Sequence, residues 1–251
     1  MLKKRIIPTF LFKNNRLVKG VNFSDYRDIG EPKSNIKIFN SQKTDEIIFI
    51  NIDKKKNINN LCEILKDASK YCFMPLAAGG GVSSMNDIKK LLKSGADKVS
   101  INSKILEDIS FLKKASKEFG SQCVVVGLDI KKINGKYSIM RNNGKKFFSS
   151  NILEYMKKCR DLGAGEFFIN NIDLDGTRKG YDINLAKKIE LYTDLPIIFS
   201  GGAKNFDDLY KLFKNTKNTA AAGMTLFCFG DNSPIRARSY LRNRGIKVKQ
   251  K

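Results

Sequence analysis

Residues 76–81 read Leu76-Ala77-Ala78-Gly79-Gly80-Gly81, and residues 198–203 read Ile198-Phe199-Ser200-Gly201-Gly202-Ala203. Each stretch is the end of an apolar strand that runs into glycines, and a polar residue and a helical pattern follow in both. The two stretches lie about half a chain apart. Self-similarity at this distance is typical of a repeat, so we predict two equivalent half-barrels.

Short apolar runs recur along the chain and alternate with amphipathic stretches. The runs cover residues 5–10, 46–52, 73–77, 98–101, 122–128, 166–169, 196–199 and 219–224. Helical periodicity is found at residues 57–71, 85–93, 105–119, 152–162, 183–192, 206–213 and 233–244. Continuous apolar strands that alternate with helices predict a parallel sheet covered on both faces.

The length agrees with closure of that sheet. The chain has 251 residues, close to the roughly 250 of one closed α/β barrel. We therefore predict a single (β/α)₈ TIM barrel over residues 1–251. Residues 131–148 interrupt the alternation and contain Ile133-Asn134-Gly135-Lys136-Tyr137, a hairpin signal. We expect a β-hairpin inserted after the fifth strand, above the active-site face.

The composition restricts the class of function. No apolar run approaches the ~20 residues of a membrane span, and no signal peptide is evident, so we expect a cytoplasmic protein without a membrane partner. The chain has 47 basic and 25 acidic residues, a net charge of +22. The lysines are spread along the chain without a nucleic-acid signature, so nucleic-acid binding is a remote alternative to a solvated surface that attracts a phosphorylated substrate.

Side-chain chemistry narrows the possibilities further. The chain has no histidine, so any proton transfer falls to carboxylates, lysine, tyrosine, cysteine or water. The five cysteines have no metal-type spacing and are interpreted as free thiols. We expect neither a metal nor a cofactor.

The glycine turns are the strongest candidates for a binding site. Glycines at the end of a strand let backbone N–H groups approach an anion, and the next helix N-terminus adds its dipole. Two such turns predict two phosphate sites on opposite sides of the barrel mouth; two ordinary tight turns are the alternative. The residues assigned to phosphate are Gly80, Gly81, Gly201 and Gly202, with hydroxyl donors from Ser200 and Thr225.

Acidic residues follow two of the predicted strands. Asp129 ends the fifth strand, where a carboxylate faces the site of a barrel, and it is our candidate general acid or base. Asp175-Gly176-Thr177 follows the sixth strand. Asp175 is expected to bind substrate hydroxyls, and Gly176 and Thr177 to bind phosphate, with a simple turn as the alternative.

Four charged residues stand at the starts of strands, at the opposite end of the barrel. They are Arg5, Glu46, Lys98 and Glu166. Together they are able to form a charged ring that closes the axis. Features at this end of a barrel ordinarily serve stability.

The chain resembles the cyclase subunit of imidazole glycerol phosphate synthase, an enzyme of histidine biosynthesis, nearly from end to end. The matching runs are Lys4-Arg5-Ile6-Ile7-Pro8, Val18-Lys19-Gly20-Val21-Asn22-Phe23, Gly79-Gly80-Gly81, Gly95-Ala96-Asp97-Lys98-Val99-Ser100-Ile101-Asn102, Phe119-Gly120-Ser121-Gln122-Cys123, Asp175-Gly176-Thr177 and Gly180-Tyr181-Asp182. The resemblance implies an ammonia-dependent synthase or lyase subunit of a glutamine amidotransferase complex.

The resemblance also implies roles for particular residues. The family forms a heterodimer with a glutaminase subunit, whose ammonia crosses the barrel axis to a bisphosphorylated substrate. Arg5, Glu46, Lys98 and Glu166 match the family's ammonia gate. Asp97 and Gln122 match positions at the glutaminase interface, and Asn102 joins the substrate-binding residues.

The resemblance fails at the ends of the first two strands. The family has aspartates there, and this chain has Leu11 and Asn51, although Asp53 is close to the second. Of the family's two catalytic aspartates, only the one matched by Asp129 is kept. Loss of one acid–base partner commonly lowers a rate by roughly 10²–10⁴, so ring closure is expected to be altered while ammonia delivery is kept.

We interpret the chain as a diverged paralogue that acts in surface-polysaccharide synthesis. Relatives of that kind are thought to work with a glutaminase-like subunit and a separate sugar amidotransferase, converting an acetamido group of a sugar nucleotide into an acetamidino group. One alternative is a genuine cyclase that forms imidazole glycerol phosphate and AICAR. Another is a non-catalytic scaffold that activates a glutaminase.

Overall fold

The computed structural model describes residues 3–53, 58–228 and 232–249. The strands are β1 (Arg5–Ile7), β2 (Thr9–Lys13), β3 (Arg16–Val21), β4 (Ser24–Gly30), β5 (Ile47–Asn51), β6 (Leu76–Gly79), β7 (Lys98–Ile101), β8 (Val124–Ile133), β9 (Lys136–Arg141), β10 (Lys146–Ser149), β11 (Glu166–Asn171), β12 (Ile197–Ser200) and β13 (Ala220–Ala222). The helices are α1 (Pro32–Ser41), α2 (Asn59–Ala68), α3 (Met85–Lys93), α4 (Ser103–Glu107), α5 (Ser110–Phe119), α6 (Ile152–Asp161), α7 (Ile183–Glu190), α8 (Phe206–Asn215), α9 (Thr225–Cys228) and α10 (Pro234–Arg242).

The sheet closes into a barrel. β1 and β2 are two segments of one strand interrupted at Pro8; β1 pairs in parallel with β13, and β2 pairs in parallel with β5. Around the rest of the cylinder, β5, β6, β7, β8, β11, β12 and β13 pair in parallel with their neighbours. The predicted (β/α)₈ barrel is therefore confirmed.

The strand register relates the two half-barrels residue by residue. One path of paired residues runs through Leu11, Ile50, Gly79, Ser100 and Val125. The other runs through Asp129, Asn170, Ser200, Ala222 and Ile7. The first path ends at Val125, four residues before Asp129, and the second ends at Ile7, four residues before Leu11. One circuit of the barrel therefore shifts the register by about 8 residues, which is the shear of this barrel class. Leu11 and Asp129 are thus equivalent positions in the predicted two-fold repeat.

Side chains alternate between the inside of the barrel and the layer under the helices. On the first strand, Ile7 belongs to the interior cluster, whereas Phe10 and Phe12 are fully buried against the helices. The interior cluster consists of Ile7, Ile48, Ala77, Val125, Phe168, Ile198, Ala220 and Ala222. These side chains lie along the barrel axis, between its two mouths.

Each half-barrel carries an antiparallel extension after its first strand. The predicted hairpin after the fifth strand is present: β8 continues to Ile133, turns at Asn134 and Gly135, and pairs with β9. The matching β2–β3–β4 extension was not predicted. Its first turn uses Asn14 and Asn15, both at positive φ, where asparagine is one of the tolerated residues.

Some predicted boundaries differ from the structure. The third barrel strand begins at Leu76 rather than at residue 73, and Phe73 is 91% exposed. The helix predicted at residues 105–119 is two helices, α4 and α5, because Asp108 is extended and accepts a hydrogen bond from the Ser110 amide. α1 was not predicted. The first residue of the helix predicted at 57–71 lies outside the described residues.

Within residues 3–53, 58–228 and 232–249, no helix combines the length and the apolar character needed to cross a bilayer.

Candidate functional site

A cavity of about 570 Å³ opens at the carboxyl ends of the barrel strands. The sequence-predicted residues that line it are Leu11, Gly80, Gly81, Asn102, Asp129, Asp175, Gly176, Ser200, Gly201, Gly202 and Thr225. Thr177 lies outside this wall, and its hydroxyl donates a hydrogen bond to the carbonyl of Leu174 at 2.9 Å. In the described structure Thr177 therefore stabilises a turn.

The two glycine turns occupy equivalent places on the cavity wall. Gly80 and Gly202 both have positive φ, +84° and +101°. A Cβ on Gly80 would lie 2.0 Å from the carbonyl oxygen of Asn51, and a Cβ on Gly202 would lie 2.0 Å from that of Gly180. Only glycine fits at such an approach, so both turns present bare backbone to the cavity.

Each turn leads into a helix with a reciprocal cap. At α3, Ser84 accepts from the Asp87 amide and Asp87 accepts from the Ser84 amide. At α8, Asn205 and Asp208 exchange the same two hydrogen bonds. The caps fix the helix N-termini beside the glycine turns, where the helix dipole favours an anion.

Asp129 is a buried carboxylate held by two amides. Asn102 Nδ2 donates to its Oδ2 at 2.8 Å, and Asn170 Nδ2 donates to its Oδ1 at 3.0 Å. Burial raises the pKa of Asp129 to about 6, against the opposing effect of the two amides. A carboxyl with this pKa is able to gain or lose a proton near neutral pH, as general acid–base chemistry requires.

A second acidic residue lies in the same cavity. Burial raises the pKa of Asp175 to about 6, although the Lys19 ammonium favours the charged form. Lys19 also lines the cavity, and burial lowers its pKa. Asp175 therefore interacts electrostatically with both Lys19 and Asp129.

The two antiparallel extensions overhang the cavity. Asn22, at the β3–β4 turn, donates through its side chain to the carbonyls of Ile172 and Asp173 at 2.9 and 2.7 Å. Its amide donates to the carbonyl of Asp175 at 2.9 Å. From the other extension, Asn142 and Lys145 line the cavity. The site is therefore partly roofed as well as walled.

The four charged residues predicted at the opposite mouth form a closed ring of ion pairs. Arg5 binds Glu46 at 2.7 Å and also binds Glu166. Lys98 binds Glu46 at 3.1 Å and Glu166 at 2.8 Å. Burial opposes ionisation of Glu166, but the ion pairs and hydrogen bonds to Arg5 and Lys98 together outweigh burial and hold the pKa of Glu166 below its usual value. The ring covers the floor of the interior cluster.

The two residues predicted at a partner interface lie on the same mouth as the ring. Asp97 directly precedes β7, and Gln122 lies in the turn that leads into β8; both are exposed. One carboxylate oxygen of Asp97 accepts from the Leu76 amide at 2.8 Å. Both side chains are thus accessible at the amino-terminal end of the barrel.

Two residues of the site, Asn170 and Lys19, were not predicted from the sequence. Asn170 was missed because the sixth strand was ended at residue 169, whereas β11 continues to Asn171. Glu166 and Phe168 point into the barrel, and since side chains alternate along a strand, Asn170 is expected on the same face. Lys19 was missed because the β2–β3 hairpin was not predicted.

Comparisons with known proteins identify the family of the chain. A family model described as "Histidine biosynthesis protein" matches residues 5–230. A putative imidazole glycerol phosphate synthase subunit hisF2 of Campylobacter jejuni is 39% identical over 252 residues, 99% of each chain. Imidazole glycerol phosphate synthase subunits HisF of Hydrogenobaculum sp. and Chlorobaculum parvum are 37% and 38% identical, over 99% of this chain and 100% of theirs.

Proposed function

The chain belongs to the histidine biosynthesis protein family, and from this membership we propose that it is a synthase subunit of the imidazole glycerol phosphate synthase type. In this proposal ammonia reacts with a phosphorylated substrate in the cavity at the carboxyl ends of the strands. The observation that carries the proposal is the pair of equivalent glycine turns on either side of Asp129. They suit a substrate with a phosphate at each end, and Asp129 is the catalytic acid or base between them.

The ammonia is proposed to come from a glutaminase subunit bound at the opposite mouth. Support comes from the ring of Arg5, Glu46, Lys98 and Glu166, which closes the axis at the mouth where Asp97 and Gln122 are exposed. Ammonia is neutral and small, so it passes an ion-pair ring when one pair opens, whereas charged solutes are held back. The ring is the gate, and Asp97 and Gln122 contact the partner.

The acceptor is proposed to differ from that of the histidine pathway. Leu11 occupies the position equivalent to Asp129 and pairs in register with Ile50 and Val18. A leucine in an apolar neighbourhood neither transfers a proton nor stabilises a cation. We therefore propose amidination in acetamidino-sugar synthesis: the ammonia nitrogen bonds to the acetamido carbon and the carbonyl oxygen leaves as water, with a separate sugar amidotransferase as a further partner.

A second candidate function is the cyclase of histidine biosynthesis itself. It is favoured by the end-to-end identity of 37–38% to proteins named HisF. In that case Asp129 alone, with Asp175 and Lys19 nearby, carries the proton transfers.

Steady-state kinetics with the bisphosphorylated substrate of the histidine pathway and an ammonium salt separate the two functions. For acetamidino-sugar synthesis we expect a rate at least ~10²-fold below that of a HisF relative measured in parallel. Leu11→Asp is expected to raise the rate, and the matched Leu11→Asn, which cannot ionise, is not. A normal rate for the unmodified chain would overturn the sugar proposal and support the cyclase.

The scaffold alternative is decided by Asp129→Asn. If the chain only activates a glutaminase, this substitution leaves every synthase activity of the complex unchanged. A loss of at least ~10²-fold, with glutaminase activation retained, is what the catalytic role of Asp129 predicts.

A further inference from the structure

The mouth of the cavity is chemically asymmetric, although the barrel beneath it is a two-fold repeat. The register makes Leu11 equivalent to Asp129 and Ile50 equivalent to Asn170. Ser100 and Ala222 are equivalent as well. Asn102 lies two positions after Ser100, and Met224 lies two positions after Ala222, so these two cavity-lining residues are also equivalent.

On one side, three polar side chains form a connected group. Asp129 accepts hydrogen bonds from Asn102 and Asn170 at 2.8 and 3.0 Å. On the other side, the equivalent residues Leu11, Ile50 and Met224 have apolar side chains, and all three line the cavity. The carboxylate and its two clamping amides are thus matched across the mouth by an apolar group of three residues.

The apolar group is packed only in part: Ile50 packs against the interior cluster and Met224 against the main hydrophobic core. Phe10 and Phe12, which flank Leu11 on the same strand, are fully buried, whereas Leu11, Ile50 and Met224 are each only partly buried. Their remaining exposure is toward the cavity that they line. When an apolar group of a ligand covers apolar surface inside a substrate cavity, the burial lowers the free energy of binding.

We propose that Leu11, Ile50 and Met224 form an apolar subsite for a small alkyl or acyl substituent of the phosphorylated substrate. This rests on the proposed function for the phosphate grip at the glycine turns. A substrate held at those turns spans the mouth, so that its apolar substituent meets Leu11 while its reacting polar centre faces Asp129. The preferred substrate is therefore a phosphorylated small molecule with a short N-acyl or alkyl group, and a fully polar sugar phosphate binds less well.

Binding of a matched probe series to the full chain tests the subsite. The probes are N-formyl-, N-acetyl- and N-propionyl-glucosamine 6-phosphate, which differ by one carbon at each step, and titration calorimetry measures their Kd values. Burial of one added carbon predicts about a four-fold tighter Kd from N-formyl to N-acetyl. Leu11→Asp is expected to remove this gain, and Ile235→Asp, at an exposed position of α10, is expected to keep it.

A methyl NMR spectrum gives a readout that does not depend on a variant. In the chain labelled at the methionine methyl groups, the Met224 signal, assigned with Met224→Leu, is expected to shift and to show a nuclear Overhauser effect to the acyl methyl of the N-acetyl probe. Equal Kd values across the series, or an unperturbed Met224 methyl, would overturn the subsite alone. Failure of every probe and of inorganic phosphate to bind would overturn the phosphate grip of the proposed function together with it.

Discussion

Asp129 is the residue whose environment most directly suits it to chemistry. Burial pushes its pKa up to about 6, while the amides of Asn102 and Asn170 hold the carboxylate in one orientation. Leu11, the equivalent residue of the other half-barrel, has neither an ionisable group nor a side-chain atom that accepts a hydrogen bond. The contrast between these two positions underlies both the proposed change of acceptor and the apolar subsite.

The raised pKa of Asp129 predicts a pH-dependent cost in stability. Since the folded chain binds this proton more tightly than the unfolded chain does, the contribution is favourable below pH ~4 and is lost as the pH rises through about 6. Asp129→Asn should therefore gain stability relative to the parent between pH 4 and pH 8, by at most about 3 kcal/mol. Urea unfolding at both pH values measures the difference. Asp194→Asn, at an exposed position, is the control, and an equal effect of Asp129→Asn at both pH values would contradict the prediction.

The sequence predicted which residues line the site wherever it also predicted where the barrel strand ends. The glycine turns and Asp129 follow clear apolar runs of the sequence, and they line the cavity. Asn170 and Lys19 were not predicted as site residues because β11 and the β2–β3 hairpin extend beyond the apolar runs. The hydrogen bonds that hold Asp129 depend on which strands are neighbours, and this follows only from the closed barrel.

Among the elements, α3 and α8 provide an internal comparison between the half-barrels. Both have a reciprocal cap beside a glycine turn. Removing the cap side chain leaves a helix amide unsatisfied, so Ser84→Ala and Asn205→Ala should each cost about 1 kcal/mol and lower the Tm by about 2–4 °C. Thermal unfolding checks this, with Ser41→Ala, at an exposed position near the end of α1, as the control. A loss in only one variant would contradict the equivalence of the two turns.

Element prediction succeeded where hydrophobic periodicity is strong and failed where it is weak. α3 matches its predicted bounds at Met85 and Lys93. β4 exposes residues on both faces, so it has no period-two pattern to detect. α1 buries only Pro32, Ile36 and Phe39, and its lysines, asparagines and serines obscure that spacing.

For the whole molecule, the charged ring ties four strands together at the floor. Lys98 bridges Glu46 and Glu166, whose side chains are only 2% and 7% exposed. Lys98→Met leaves two nearly buried glutamates to share Arg5, so we expect a loss of about 3 kcal/mol in the free energy of unfolding. Urea unfolding measures it, and Lys93→Met, exposed at the end of α3, should change it little. If Lys98→Met is as stable as the parent, the ring does not contribute to the free energy of unfolding of the isolated chain.

The barrel as a whole was predictable because eight apolar runs and two equivalent glycine turns recur at regular distances. The shear and the residue-by-residue equivalence of Leu11 to Asp129 were not readable from the runs, since both depend on pairing between residues that are more than a hundred positions apart. The net charge of +22 likewise says nothing about where an anion binds. The two glycine turns line the cavity at the carboxyl ends of the strands, and we propose that the anion binds there.

Backbone amide NMR of the full chain during titration with inorganic phosphate decides whether the two glycine turns bind the phosphates of the substrate. We expect saturable shifts at Gly80, Gly81, Gly201 and Gly202, with Asp97 and Gln122 at the opposite mouth unaffected. Weak, unsaturated shifts spread over the lysine surface, with the glycine amides unmoved, would contradict it.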